Sequence, residues 1–417
     1  MGIFTVLGDQ INRQTTLKTH TTHEGGILNT CITTVTPKMH KVRRASLTSC
    51  VSSLLNGAKA TVTVIGRGIS SSAYEKHRIK QADRLLSNKH IINEQLPIYR
   101  AIYTQYANAS LRPIILIDWS DLDTHKGCFL LRASVAFNGR GVAIYQEVHG
   151  MNTKEKRCTH KAFLAKLNTI IDDDVKPIIV TDAGYKTTWF REVIALGWDF
   201  AGRVRKPMMY VNQKEDWEHT SELYKRATSQ PIGFTSHICR SQPLACTLVL
   251  FKGKNKGRHS LTRHNLTRQS KCSKVHGRGA TDPWLIATSL PRTKSLGKKI
   301  VAIYRLRMQI EEEFRDIKSS LFGLGFEHHK SRCVHRIAVL ILIATLASIL
   351  ANIIGLAMFM GGLHRRYQAN TVKVRRVLSF HYLGLRGFVD KRFKLLCEQF
   401  ETAVLNLRTM ITGNSND

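Results

Sequence analysis

Residues 337–363, IAVLILIATLASILANIIGLAMFMGGL, carry no charged side chain. A helix of that length spans about 40 Å, enough to cross a bilayer core of ~30 Å. Such a segment has no polar face to offer water, so it must be buried in lipid or in the middle of a large core. Basic residues flank both ends, Arg332 and Arg336 before it and Arg365 and Arg366 after. The cations therefore give no orientation across a membrane. No other segment has this character, and residues suited to catalysis lie on both sides of it. The expected fate is a buried helix of a soluble core, with no membrane partner.

A core that surrounds such a helix needs a long chain, and 417 residues suffice for two or three domains. PIILIDWSD (113–121), CFLLRASVAF (128–137) and GVAIYQEVH (141–149) read as three consecutive strands, joined by turns at Lys126-Gly127 and Asn138-Gly139. A helix over 160–173, a buried strand over 176–184 and a helix over 187–197 follow. Antiparallel strands followed by helix and parallel strand predict an α/β sheet of mixed direction. From about 200 to 282 the pattern loosens into short strands such as CTLVLF, and sheet grammar resumes at DPWLIATSL. Upstream, residues 43–110 read as helical; ATVTVIGRGI fits either a strand or a short helix of a helix-turn-helix. Residues 1–40 are Thr-rich and without period, and are expected to have little fixed structure.

The charge narrows the partner. Sixty-three Lys and Arg against 30 acids give +33, an excess that repels itself unless a polyanion neutralises it. Nucleic acid is the first candidate and a membrane surface the second. Residues 1–100 carry 14 cations against 5 acids, and residues 251–280 carry nine cations and no acid. Phosphate contact is expected of both. The nine cysteines include no C-x-x-C pair, so a zinc ribbon is not expected and a reducing, intracellular compartment is. The N-terminus lacks the basic, apolar pattern of a signal peptide.

Within this basic chain YRLRMQIEEEFRDIKS (304–319) holds three consecutive glutamates. Read as one helix, it places Tyr304, Arg307, Glu311 and Lys318 in a stripe about 60° wide, beside an apolar stripe of Ile310, Phe314, Ile317 and Leu321. Glu312 and Glu313 fall off that stripe and read as support or surface. Two strands end alike: PIILI in Asp118 and PIIVT in Asp182. Ligands bind beyond the carboxyl ends of strands in open α/β sheets, so the two aspartates and Glu311 are expected to converge. Three carboxylates suit two Mg²⁺ ions, with Mn²⁺ as a substitute, in phosphodiester cleavage. Tyr304, Arg307 and Lys318 are then placed to hold phosphates.

On these motifs the chain resembles the DDE transposases of the bacterial insertion-sequence-four family, and within it the transposon-ten type. The family signature Y-x2-R-x3-E-x6-K is met by Tyr304, Arg307, Glu311 and Lys318. IDWSD and VTDAG resemble its first and second acid blocks, and the resemblance runs from roughly residue 40 to 390. It implies a ribonuclease-H-like catalytic domain interrupted by a β-rich insertion, and cut-and-paste transposition by nicking, hairpin formation, hairpin opening and strand transfer. It also implies a flipped base held by Trp284 and Met308, DNA ends and target as partners, a homodimer, and a cytoplasmic, DNA-associated location. The expected map is 1–40 poorly structured, 41–110 helical and end-binding, 111–200 and 283–364 catalytic, 201–282 insertion, and 365–417 a basic C-terminal region. A site-specific nuclease or integrase of the same fold shares the three acids. A non-catalytic DNA-binding protein shares only the charge.

Overall fold

The computed structural model describes residues 24–122, 127–253 and 282–413, together with 267, 269 and 270. Its first five elements are helices. α1 (Glu24–Val35) buries Ile27, Leu28, Cys31, Ile32 and Val35. That helical spacing hides among threonines, and it corrects the expectation of little fixed structure for residues 24–35. α2 (Lys41–Leu55) closes at Gly57, which takes φ +94°. The ambiguous stretch after it is helical: α3 (Val62–Gly68) starts where the Thr61 hydroxyl accepts from the Val64 N–H at 3.3 Å. Gly66 then meets α4 (Glu75–Leu86) so closely that a Cβ would lie 2.4 Å from Ile79 Cα. The cap and that packing override the strand-like alternation. α5 (Lys89–Ile102) completes the group, capped by Asn88.

β1 (Ile114–Asp121), β2 (Cys128–Phe137) and β3 (Arg140–Gly150) are antiparallel neighbours, as their apolar runs predict. Gly139 takes φ +81° in the turn between β2 and β3; Lys126 of the other expected turn lies outside the described residues. α6 (Arg157–Ile170) leads to β4 (Ile178–Thr181), parallel to β1, and α7 (Thr187–Ala195) to β5 (Asp199–Arg203), parallel to β4. β1 runs three residues past Asp118, so that aspartate lies within the strand rather than at its end. Asp182 directly follows β4.

β6 (Met209–Val211), β7 (Trp217–His219), β8 (Ile232–Ile238), β9 (Leu244–Phe251) and β10 (Trp284–Thr288) extend the same sheet, in the order β3-β2-β1-β4-β5-β10-β9-β8-β6-β7. β10 bridges the two halves, antiparallel to both β5 and β9. The expected insertion is thus continuous with the catalytic sheet, and a boundary at 201 cuts through β5. Most of the basic run 251–280 lies outside the described residues.

The single helix expected over 304–319 is two, α8 (Leu296–Arg305) and α9 (Met308–Lys318). Leu306, Arg307, Gln309 and Ile310 each bond three residues back, at 2.8–3.3 Å, a tightened turn in place of the regular ladder. Ile310, Phe314 and Ile317 are buried as the stripe requires, but Leu321 falls beyond the end of α9 and is 73% exposed. The long apolar segment is α10 (Val334–Met360); 94% of its most apolar window is buried inside the protein. β3, α2, α11 (Phe380–Val389) and α12 (Cys397–Gly413) surround it. At its contact with α11, a Cβ on Gly355 would lie 1.9 Å from Phe380 O, and one on Gly384 1.8 Å from Ala351 O. Only hydrogen fits between these backbones.

Candidate active site

Asp118 from β1, Asp182 from the end of β4 and Glu311 from the first turn of α9 line one open cleft of about 630 Å³. The parallel register of β1 with β4 pairs Leu116 with Val180, so Asp118 and Asp182 follow at equivalent positions on neighbouring strands. The apolar face of α9 packs on β1, β2 and β3, which brings Glu311 to the same end of the sheet. The three predicted acids therefore line the same cleft.

Their electrostatics are frustrated. Burial pushes the Asp118 carboxyl up to about 7, and the Asp182 and Glu311 charges push the same way, against the Arg307 guanidinium and the Trp119 N–H. Asp118 accepts from the Trp119 N–H at 2.8 Å, and Asp182 accepts from the Gly184 N–H at 2.8 Å. Arg307 spans two of the acids, donating to Asp118 at 3.3 Å and to Glu311 at 2.6 Å. Among the described residues no three His, Cys, Asp or Glu side chains stand together at metal-holding distance. The donor set nonetheless suits hard divalent cations: it is all carboxylate oxygen, and a cation offsets the burial and the carboxylate repulsion that raise Asp118.

The other predicted residues divide. Lys318 reaches across to β1, donating to the Ser120 hydroxyl at 2.6 Å, and it lines the cleft with Arg307. Burial pulls its ammonium below the ordinary lysine range, opposed by Asp121 and Asp118. Tyr304 is buried, 4% exposed, so its ring supports rather than faces the cleft: Arg307 lies 6.0 Å over it and Trp284 meets it edge-on at 5.0 Å. Met308 places its sulfur 3.7 Å from an Arg307 nitrogen. Trp284, Tyr304, Arg307 and Asp118 thus form a continuous line of contacts from the bridging strand to the acid cluster.

Sequence reasoning missed what holds α9 down. Arg132, cross-strand from Asp118 and fully buried, pairs with Glu313 at 2.8 Å. Ser134 donates to the other Glu313 oxygen at 2.7 Å, and Gln146 accepts from Arg132. Arg140 pairs with Asp316, one turn further along. Glu313 is therefore support, while Glu312 pairs with Arg315 and Arg140 at the surface. The available signal was a lone charged residue, Arg132, in the mostly apolar CFLLRASVAF.

A second group missed by sequence lies beneath Trp119, whose indole N–H donates to His160 Nε2 at 3.1 Å. His160 stacks on Tyr185, three residues after Asp182, at 5.2 Å and meets Trp189 edge-on at 5.1 Å. Burial and the neighbouring His149 pull the His160 imidazole down to about 4. It is therefore neutral and free to accept from the indole.

A family model described as a transposase DDE domain matches residues 109–350, more than half of the chain and all three acids. A comparison with curated proteins returns no match.

Proposed function

The chain belongs to the transposase DDE-domain family, and from that premise we propose a cut-and-paste transposase of the insertion-sequence-four family, transposon-ten type. The observation that carries this reading is the convergence of Asp118, Asp182 and Glu311, from three separate segments, in one cleft inside the family-matched region. A DNA-binding protein without chemistry has no use for three mutually repelling carboxylates.

In this reading Asp118, Asp182 and Glu311 hold two divalent cations, Mg²⁺ with Mn²⁺ as substitute. Such ions supply Lewis-acid stabilisation of the charge gathering on phosphorus and favour deprotonation of the attacking hydroxyl. The chain's own residues do the positioning. Arg307 and Lys318 line the cleft as phosphate donors, and Tyr304 fixes Arg307 from below. Trp284, partly exposed beside Tyr304, offers an indole face on which a flipped base can stack, with Met308 beside it. Residues 41–110 form the helical end-binding module, 283–364 complete the catalytic domain begun at 111–200, and the chain acts as a dimer because two DNA ends must be paired. It works on DNA in the cytoplasm.

The test is incubation of wild-type protein with a duplex carrying the element's end, flanked by donor DNA, and Mg²⁺ or Mn²⁺. Metal-dependent nicking at the element boundary followed by a hairpin is expected. Nicking without hairpin or joining identifies a nuclease; binding without cleavage removes the enzymatic reading.

A further inference from the structure

From His328 to Val389 the chain contains no acidic residue. Within that stretch Arg365, Arg366, Lys373 and Arg375 are exposed after the end of α10. The same segment continues into Arg376 and Val377, which line a second groove of about 570 Å³ together with Arg140, Arg315, Phe322 and Tyr382, and Gln368 ties it together by donating to Arg375 O and accepting from the Val377 N–H. Arg315, on α9, lines both this groove and the catalytic cleft, so the two adjoin across that side chain near the C-terminal end of the acid helix. The two carboxylates in the groove are already committed: Asp316 to Arg140, and Glu312 to Arg315 and Arg140. The lining arginines Arg140 and Arg315 are thereby paired as well, so the uncompensated charge is that of the four exposed cations of residues 365–375. Apolar side chains are also exposed along the rim, Phe322 at 58%, with its ring edge-on to Tyr382, and Val377 at 52%.

We infer that this groove and the exposed cations of residues 365–375 form a second phosphate-binding surface, onto which the duplex held in the catalytic cleft continues. The inference rests on the transposase reading for what occupies the cleft, and adds to it a path for DNA beyond the acids. Three observations favour one continuous duplex. The groove shares Arg315 with the cleft, the cations outside it have no acid within the same chain segment, and the surface flanks α9 rather than lying apart from it. Arg376 belongs to the scaffold of the surface: its guanidinium lies 3.8 Å over the Phe380 ring and donates to Leu378 O. The other four cations are available to phosphates, each releasing condensed counterions when it pairs with one.

The test compares the wild type with a variant carrying Arg365→Ser, Arg366→Ser, Lys373→Ser and Arg375→Ser, all at exposed positions. Binding is measured by fluorescence anisotropy over a salt series, using two duplexes that carry the element's end, one of about 14 bp and one of about 40 bp. On the long duplex the variant's slope of log K against log[salt] should be shallower by about 0.9 for each phosphate it no longer neutralises, up to ~3.6 for all four. On the short duplex the two proteins should bind and cleave alike. An unchanged slope on the long duplex overturns the inference, as does an equal weakening on both lengths. A variant deficient only in capturing a second, unlinked duplex would assign the surface to another DNA molecule and refute continuity. Wild-type protein that prefers anionic lipid vesicles over the long duplex, with the preference abolished in the variant, would also overturn it. Cleavage by the wild type with no slope difference defeats this inference alone, whereas wild type that neither binds nor cleaves defeats the transposase reading as well.

Discussion

Replacing Glu313 by Gln changes one atom and removes one charge, yet it should be among the costliest single substitutions in the chain. Arg132 has no exposed surface and Glu313 almost none; the pair meets at 2.8 Å beneath the acid helix. Burial pushes the Glu313 carboxyl upward, while Arg132 and the Ser134 hydroxyl pull it down. Without the carboxylate, Arg132 keeps its hydrogen bonds to Gln146 and Thr345 but loses its counter-ion. Breaking one side of a buried pair costs about 3–5 kcal/mol. With a urea slope of about 3 kcal/mol/M, that moves the unfolding midpoint down by roughly 1–1.7 M, less if the slope is steeper. The combined Arg132→Met and Glu313→Leu variant removes both charges and strands only neutral groups, at about 1–3 kcal/mol each. Its destabilisation should fall below the sum of the two single effects by about 2 kcal/mol or more. Urea unfolding of the wild type, Glu313→Gln, Arg132→Met, Glu313→Leu and the double variant measures this. A Glu313→Gln cost below about 1 kcal/mol, or strict additivity, would refute the claim that this pair clamps α9 to the sheet.

Three further outcomes follow from the geometry. Arg307→Gln frees the Asp118 and Glu311 oxygens that Arg307 now spans, so DNA-free protein should bind Mn²⁺ more tightly than wild type by calorimetry; equal affinities would contradict the bridge. His160 accepts from Trp119 only when neutral, and its folded-state pKa lies below the ordinary value, at about 4. Its contribution to stability is therefore complete above about pH 6.5 and is lost as pH falls toward 4; His160→Gln should flatten that part of the pH–stability curve, and an unchanged curve would refute the assignment. Gly384→Ala puts a methyl 1.8 Å from Ala351 O, forcing α10 and α11 apart at a cost of about 1–3 kcal/mol or more. Gly413→Ala meets nothing within 4 Å and serves as the control in thermal unfolding, where equal shifts would be the contrary result.

Strands β1 to β4 were legible because each is a largely apolar run bounded by turn residues, and α10 because so long an uncharged run must be hidden from water along its whole length. The acids were legible as types placed at the edges of those runs. What the sequence concealed was mostly non-local. Arg132 and Glu313 are 181 residues apart, and nothing in either neighbourhood names the other. The periodicity of α1 is diluted by threonines, whose hydroxyls at Thr30 and Thr34 bond back to the preceding turn and so tolerate a helix. Alternating β-branched residues pointed α3 toward a strand, and the Thr61 cap with the Gly66 contact decided otherwise. The turn between α8 and α9 leaves no local signal, since both junction residues keep helical dihedrals. It takes Tyr304 and Arg307 off the common stripe, burying the ring and leaving the guanidinium between two acids. Continuity of the insertion with the catalytic sheet depends on β10 pairing with both β5 and β9, which periodicity within any one strand does not reveal.

The central claim is that Asp118, Asp182 and Glu311, and not their acidic neighbours, perform the chemistry. The most direct measurement is cleavage of a duplex carrying the element's end, with Mg²⁺ or Mn²⁺, by wild type, Asp118→Asn, Asp182→Asn, Glu311→Gln and Glu312→Gln, with DNA binding read in parallel. The account predicts that the first three substitutions abolish cleavage with binding retained, and that Glu312→Gln keeps some cleavage. Cleavage that survives any of the three, or that Glu312→Gln removes as completely, would contradict it.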